Sequence, residues 1–205
     1  HPGVDVRLQV GNNREELVAM LADGEVDLAI MGRPPREMAC RAEAFAAHPH
    51  VFVAPPGHPV LRSGQPSVEM LSNYPLIVRE PASGTRALMD RFFQQHRAEP
   101  RIVMEMPSNE TIKQAVMAGL GLSFLSLHTM GLELRSGLLA LLDIADAPVM
   151  RMWNVVHLSS QLLSPAAEAF RYFMLEQGEA HLLAHDTPLL GRAGGAACPG
   201  ADDLG

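Results

Sequence analysis

The middle of this chain alternates two hydrophobic periods, and that alternation limits the fold more than any other feature. Leu76, Ile77 and Val78 form a short apolar run, the pattern of a buried strand. Leu88, Phe92 and His96 then share one helical face. Residues 101–106 read as a strand, Ile112, Val116 and Leu120 mark a second helix, and residues 121–125 read as a further strand. Strand, helix, strand, helix, strand with tight links predicts parallel strands with helices on their faces. The helix starts are signposted: Ser83 before the first, and Ser108 or Asn109 before the second. Glu110 then sits in that second helix's positive first turn.

The pattern extends to both sides. Residues 4–10 alternate apolar and polar side chains, as a half-buried strand does. Asn13 and Glu16 make a capping box, Leu17, Met20 and Leu21 lie at helical spacing, and Gly24 supplies the stop. Residues 26–31 follow as a strand, so the segment predicts a βαβ unit with its two strands parallel. Residues 39–46 and 51–54 read as two more strands. Pro55-Pro56-Gly57-His58-Pro59 interrupts sharply and is the best candidate for a linker or hinge. Residues 67–71 suggest a single helical turn and 138–142 an extended apolar segment. Residues 150–158 alternate again, with Met152, Val156 and Leu158 expected inward. Ser164-Pro165 opens a helix expected to run to about Gln177 and stop at Gly178. Residues 179–205 are then expected to be a disordered tail, Gly-, Ala- and Pro-rich and without period from 187 on.

Composition narrows the function classes. The 205 residues carry a net charge of −7, and no basic stripe is visible, so this stretch by itself is not expected to bind DNA. Cys40 and Cys198 fit neither a disulfide scaffold nor a CxxC metal site. No apolar run approaches the roughly 18 residues that span a bilayer, and no signal peptide is visible. The chain opens on His1 rather than Met and enters at once on a strand pattern. It reads as a piece that begins within a fold.

Several stretches carry a family likeness. They are His1-Pro2-Gly3-Val4, the run Leu17-x-x-x-Leu21-x-x-Gly24-x-Val26-Asp27-Leu28-Ala29-Ile30, the Pro55–Pro59 strand exit, and Ser108-Asn109-Glu110 with its helix. Together, over about residues 1–178, they resemble the effector-binding domain of LysR-type transcriptional regulators. Residues 76–86 and 117–129 are similar, more narrowly, to the Calvin-cycle (RuBisCO operon) regulators of the CbbR group. The resemblance implies an α/β fold: two Rossmann-like lobes of type 2 periplasmic-binding-protein architecture, joined by two crossover strands. Lobe I would be 1–57 with 150–178, and lobe II 58–149. The family's N-terminal helix-turn-helix is missing, as are the first strand and helix of lobe I. Any DNA contact would belong to that absent domain. The resemblance further implies a cytoplasmic homodimer or homotetramer, no membrane, no cofactor, no catalysis and no metal. The guest would be a small anionic effector: a phosphorylated or carboxylated metabolite, or NADPH.

The expected site follows the rule that open parallel sheets bind ligands at the carboxyl ends of strands, where helix N-termini point. Ser83, Gly84 and Thr85 start such a helix. Its first amides lack intrahelical partners and carry partial positive charge. Arg86 adds charge if it turns inward. Arg33 follows the strand ending at Gly32 and could grip an anion with two prongs; in the resemblance this position faces the cleft. Asn12, beside the capping residue Asn13, is a further contact candidate. Ser108 and Asn109 are expected to cap first and touch ligand second, and His128 could donate to a phosphate. Ser83 at a helix start is equally an ordinary cap, and for His128 a satisfied structural histidine is the leading reading.

Other readings carry less. His48, His50 and His58 invite a metal, but no Cys or acidic cluster completes a site. Gly119-Leu120-Gly121 follows a helix and opens a strand, the reverse of a dinucleotide loop. A solute-binding protein of a transport system is the alternative function. It would need a secretion signal and two complete lobes. No acid–base constellation for an enzyme on this scaffold is visible.

Overall fold

The computed structural model describes residues 3–11 and 13–190. A seven-stranded mixed sheet forms its spine. The elements run α1 (Arg14–Ala22), β1 (Ala29–Met31), β2 (Cys40–Ala54), α2 (Val68–Leu71), β3 (Leu76–Arg79), α3 (Gly84–Gln95), β4 (Ile102–Met106), α4 (Asn109–Met117), β5 (Leu122–Ser126), α5 (Gly131–Arg135), β6 (Ala140–Leu141), β7 (Val149–Leu158) and α6 (Pro165–Leu190). Two 3₁₀ turns, Pro59–Ser63 and Leu127–Thr129, complete the list. The strand order is β1-β7-β2-β5-β3-β4, with β6 paired to β2.

The parallel unit predicted for the middle of the chain is present. β3 pairs parallel with β4 and with β5, because a helix carries the chain back across the sheet between successive strands. Each helix covers one face. Leu88, Met89, Phe92 and Phe93 of α3 pack with Phe52, Leu76, Val78 and Phe124. Ile112, Ala115 and Val116 of α4 pack on the opposite face with Val51, Val53, Ile77 and Leu125. Residues 51–53 thus show the strand period directly, feeding the two cores in turn. The Phe52 ring lies 4.8 Å from Phe124 and 5.3 Å from Phe92, tilted in both cases.

Two strands expected separately, 39–46 and 51–54, are one. β2 runs 15 residues without a break. It pairs antiparallel with β7 from Cys40↔Leu158 to His50↔Val149, across a bulge between Ala44 and Ala46. β2 and β7 carry the sheet from the β1 end to the β3–β4 end. Pro55-Pro56-Gly57-His58-Pro59 is the exit turn of β2, where His58 Nδ1 accepts from the Val60 amide.

Three further expectations fail. Residues 4–10 form no strand, so the parallel partner predicted for β1 is absent, and β1 pairs antiparallel with β7 instead. Val6, Leu8 and Val10 are exposed. Alternation selects a face, but a strand also needs a neighbour to satisfy its amides and carbonyls. The second failure is Met152, expected inward and found exposed, while Val155 and Val156 are both buried. This end of the sheet has a helix on each face. Leu21 of α1 packs against Val156, and Met174, Leu175 and Leu182 of α6 pack with Val155 and Phe45.

The third failure is the stop at Gly178. α6 continues through it to Leu190, so residues 179–190 are helical, and 191–205 lie outside the described residues. A Cβ at position 178 would come within 2.6 Å of the Phe45 ring. Gly178 is therefore a notch for Phe45 inside the helix and does not end it. Arg171, bonded to Glu43 of β2 and to Glu168, clamps α6 to the sheet beside that notch.

Candidate functional site

The strand order fixes where a ligand crevice falls. The chain leaves β3 through α3 to reach β4 on one side, then returns through α4 to β5 on the other side. The winding reverses between β3 and β5, and the crevice lies beyond their carboxyl ends. Two segments emerge there: the start of α3 and the turn Leu127–Thr129. β2 and β7 supply the floor. His50 lies opposite Ser126 of β5, and His48 lies opposite Arg151 of β7. Directly opposed side chains on one face of a sheet are neighbours.

Contacts knit these pieces together. The Thr85 hydroxyl is 3.4 Å from His50 Nε2. A Cβ on Gly84 would lie 3.2 Å from an Arg151 guanidinium nitrogen, so glycine lets that group close on the first turn of α3. His48 Nε2 bonds Ser126 Oγ at 2.9 Å. The Trp153 ring stacks on His48 at 3.7 Å and its Nε1–H donates to His128 Nδ1 at 3.0 Å. On the far side, a Cβ on Gly32 would lie 3.0 Å from His48 Nδ1. That contact brings the end of β1, and with it Arg33, to the same crevice.

Electrostatics give the site its sign. Burial lowers the Arg151 pKa first, and the charges of Arg33 and Arg91 add to the effect. A guanidinium stays protonated regardless. Among the described residues, no carboxylate or carbonyl pairs with Arg151. It is a half-buried cation held against the positive end of a helix. Burial, and then Arg151, push His50 down to about 4. Burial, and then His50, His128 and Arg151, hold His48 far below its ordinary value. Both rings are neutral near pH 7. Among the described residues, no Asp or Glu is a cause of these three shifts. Unpaired positive charge with free helix amides suits an anion.

The structure sorts the expected residues. Ser83, Gly84, Thr85 and His128 join the His48, His50, Arg151 and Trp153 group, and the Arg33 charge acts on Arg151. Ser83 caps α3, its Oγ accepting from the Thr85 amide at 3.2 Å. His128 is held by Trp153. Arg86 does not turn inward: it is spent on Asp90, on Glu105 of β4 and on the Arg79 carbonyl. Two carboxylates within reach hold it on the outer side of the helix start. Ser108 caps α4 by accepting from the Thr111 amide, and Asn109 Oδ1 accepts from Arg79; neither joins the group around Arg151. Asn12 lies outside the described residues. His48 and His50 share a face, as alternate strand residues do, while His58 is away against Tyr74.

Arg151, Trp153, His48 and His50 are site residues that sequence reasoning missed. One signal was present. Arg151 and Trp153 alternate with Met150 and Met152, and a one-residue choice decides which pair faces the site. The methionines are the exposed pair.

Comparison with known proteins agrees with this fold. The LysR substrate binding domain family matches residues 1–179. The transcriptional regulator CfxR of Cupriavidus necator is 50% identical over 98% of this chain and 60% of its own length. The RuBisCO operon transcriptional regulator of Allochromatium vinosum is 46% identical over 86% of the chain and 58% of its own. In structure, the regulatory domain of Synechocystis CcmR, solved in complex with 2-PG, superposes with a TM-score of 0.80. It is 34% identical and covers 85% of this chain and 84% of that one. The chain belongs to the LysR family and is its effector-binding domain, of type 2 periplasmic-binding-protein architecture. It spans about three-fifths of the length of the curated relatives it matches. No helix among the described residues is long and apolar enough to cross a membrane.

Proposed function

We propose that this chain is the sensing and oligomerising part of a regulator of carbon-fixation genes, and that its effector is a small anion gripped at the start of α3. The observation that carries the reading is Arg151. It is an unpaired cation held over Gly84, where the helix amides are already positive. An anion between them relieves a repulsion that nothing else relieves. Names of the relatives point to RuBisCO operons, and the 2-PG of the CcmR complex is an anion of the expected size. A phosphorylated or carboxylated metabolite, or NADPH, remains the expected class. The domain reading is two lobes, residues 1–57 with 150–178 and residues 58–149, with β2 and β7 crossing between them.

The mechanism is a population shift. Arg33 stands at the end of β1 and Thr85 at the start of α3, on opposite sides of the β2–β7 floor. An anion that touches both binds the closed arrangement better than the open one. It can shift the equilibrium only by that difference in affinity. The change then reaches DNA through a helix-turn-helix domain and through contacts between copies. The chemistry is binding, with no turnover and no cofactor.

The test is Thr85→Val in the full-length protein. Losing one hydrogen bond to a charged group costs about 1.5–3 kcal/mol, so effector affinity falls roughly tenfold to a hundredfold while effector-free DNA binding stays near wild type. A thermal-shift screen of Calvin-cycle phosphates and nucleotides supplies the ligand. Unchanged affinity in titration removes Thr85 from the site.

A further inference from the structure

We propose that Thr85 and His50 form a proton-coupled pair, so that capture of an anion at the start of α3 takes up a proton on His50. The inference rests on the site proposed above and adds a property to it. Its basis is the direction of two hydrogen bonds. His50 Nδ1 lies 3.2 Å from the His48 carbonyl oxygen, which can only accept. The ring proton of neutral His50 is therefore on Nδ1, and Nε2 carries a lone pair. The Thr85 hydroxyl then donates to Nε2. At 3.4 Å that bond is long, and little is lost in surrendering it.

An anion needs donors. While Thr85 donates to His50, its hydroxyl proton points away from the crevice. If the hydroxyl turns to the anion, Nε2 is left buried and unpaired, since His50 is 1% exposed. Protonation resolves this. A proton from solvent adds to Nε2, the new N–H donates to Thr85 Oγ1, and the hydroxyl, its O–H bond intact, donates its hydrogen bond to the anion. No covalent bond to carbon changes, and one proton is gained per anion bound. The anion's charge then stabilises the imidazolium.

The surroundings favour a ring that waits neutral and responds to an incoming negative charge. His48 faces His50 from the same strand with ring centroids 4.3 Å apart. Arg151 on β7 and His128 on the turn after β5 act on it electrostatically. α3 contributes Thr85, and β5 contributes Ser126 and the Phe124 ring at 5.7 Å. Among the described residues, no carboxylate acts on the ring. The anion would be the first negative charge it meets. A second buried ring is in a related condition: His48 is 6% exposed, and its Nδ1, against the Gly32 wall, has no partner among the described residues.

The experiment is calorimetric titration of the full-length protein with 2-phosphoglycolate. It is run between about pH 5.5 and pH 8, in buffers of different ionisation heat, for wild type and His50→Gln. The ligand's own phosphate titrates near pH 6, so the ratio of wild-type to variant affinity is the quantity read. That ratio is expected to rise by up to tenfold for each unit the pH falls, and the protein's proton uptake is expected to vanish in the variant. Because His50 is buried, ring ¹⁵N shifts of His50 in wild type, with and without ligand, give a second reading independent of the variant's folding. A ring that gains its second N–H on binding supports the proposal. Binding that Thr85→Val weakens but that brings neither proton uptake nor a shift overturns it and leaves the site standing. If neither 2-phosphoglycolate nor inorganic phosphate binds wild type, or Thr85→Val changes nothing, the site falls and the proton coupling falls with it.

Discussion

Residues 76–126 and residues 4–31 carry the same written pattern, strand then capped helix then strand, and only the first folds as written. Both helices form with the expected caps. Asn13 accepts from the Glu16 amide and Ser83 from the Thr85 amide. Both following strands form. The difference lies in partners. β3 has β5 on one edge and β4 on the other, with a helix on each face. Residues 4–10 pair with no strand among the described residues, and their apolar side chains face solvent. A pattern gives a strand its faces; the ladder must come from elsewhere in the chain.

The contrast is open to attack, and the sharpest blow is on the cores. Phe93→Ala removes a ring that is 1% exposed and is expected to cost about 3–5 kcal/mol, read by denaturant unfolding. Leu8→Ala, at 88% exposure, is expected to stay within about 0.5 kcal/mol. Comparable losses at the two positions would mean that residues 4–10 are held after all.

Acid probes the site end of the same contrast. His50 takes up its proton near 6.5 when unfolded and only at about 4 when folded. Between those values the unfolded state binds the extra proton, so stability falls as pH falls through that window. The slope is up to about 1.4 kcal/mol per pH unit. Above 6.5 this contribution is complete and flat. Unfolding curves from about pH 7 to 4 check it, and His50→Gln should flatten part of the slope. Saturating anion should flatten it as well if binding charges the ring.

The caps give the smallest contrast. Ser83→Ala and Asn13→Ala each remove a side-chain acceptor from a helix start, worth typically about 1 kcal/mol. Ser83 is 4% exposed and sits in the crevice. Its replacement should lower anion affinity as well as melting temperature, whereas Asn13→Ala should lower only the latter. Equal effects of both on affinity would detach the cap of α3 from the site.

The candidate site was half legible for related reasons. Ser83, Gly84 and Thr85 announce themselves because a helix start is a local event, written within four residues. Arg33 and His128 follow strand ends, which are also local. Arg86 was misread because its acceptors, Asp90 and Glu105, lie on its own helix and on the next strand, and a cation goes to the nearest carboxylate. Arg151 stayed hidden because β7 offers two alternate faces. The long pairing with β2, with its bulge, selects one of them.

The sequence by itself settled which segments are helix and strand in the middle of the chain, where the helices start, and that Leu88, Phe92, Ile112 and Val116 face the cores, though Leu120, expected with them, is exposed. These are matters of capping and periodicity, decided within one or two turns of chain. Tertiary structure alone decided that residues 4–10 go unpaired, that 39–54 is one strand, and that α6 passes through Gly178 over Phe45. It also decided that His50 and Arg151 lie against the first turn of α3. Each of those outcomes depends on what lies across a ladder or a packing contact, tens of residues away, and no local period records it.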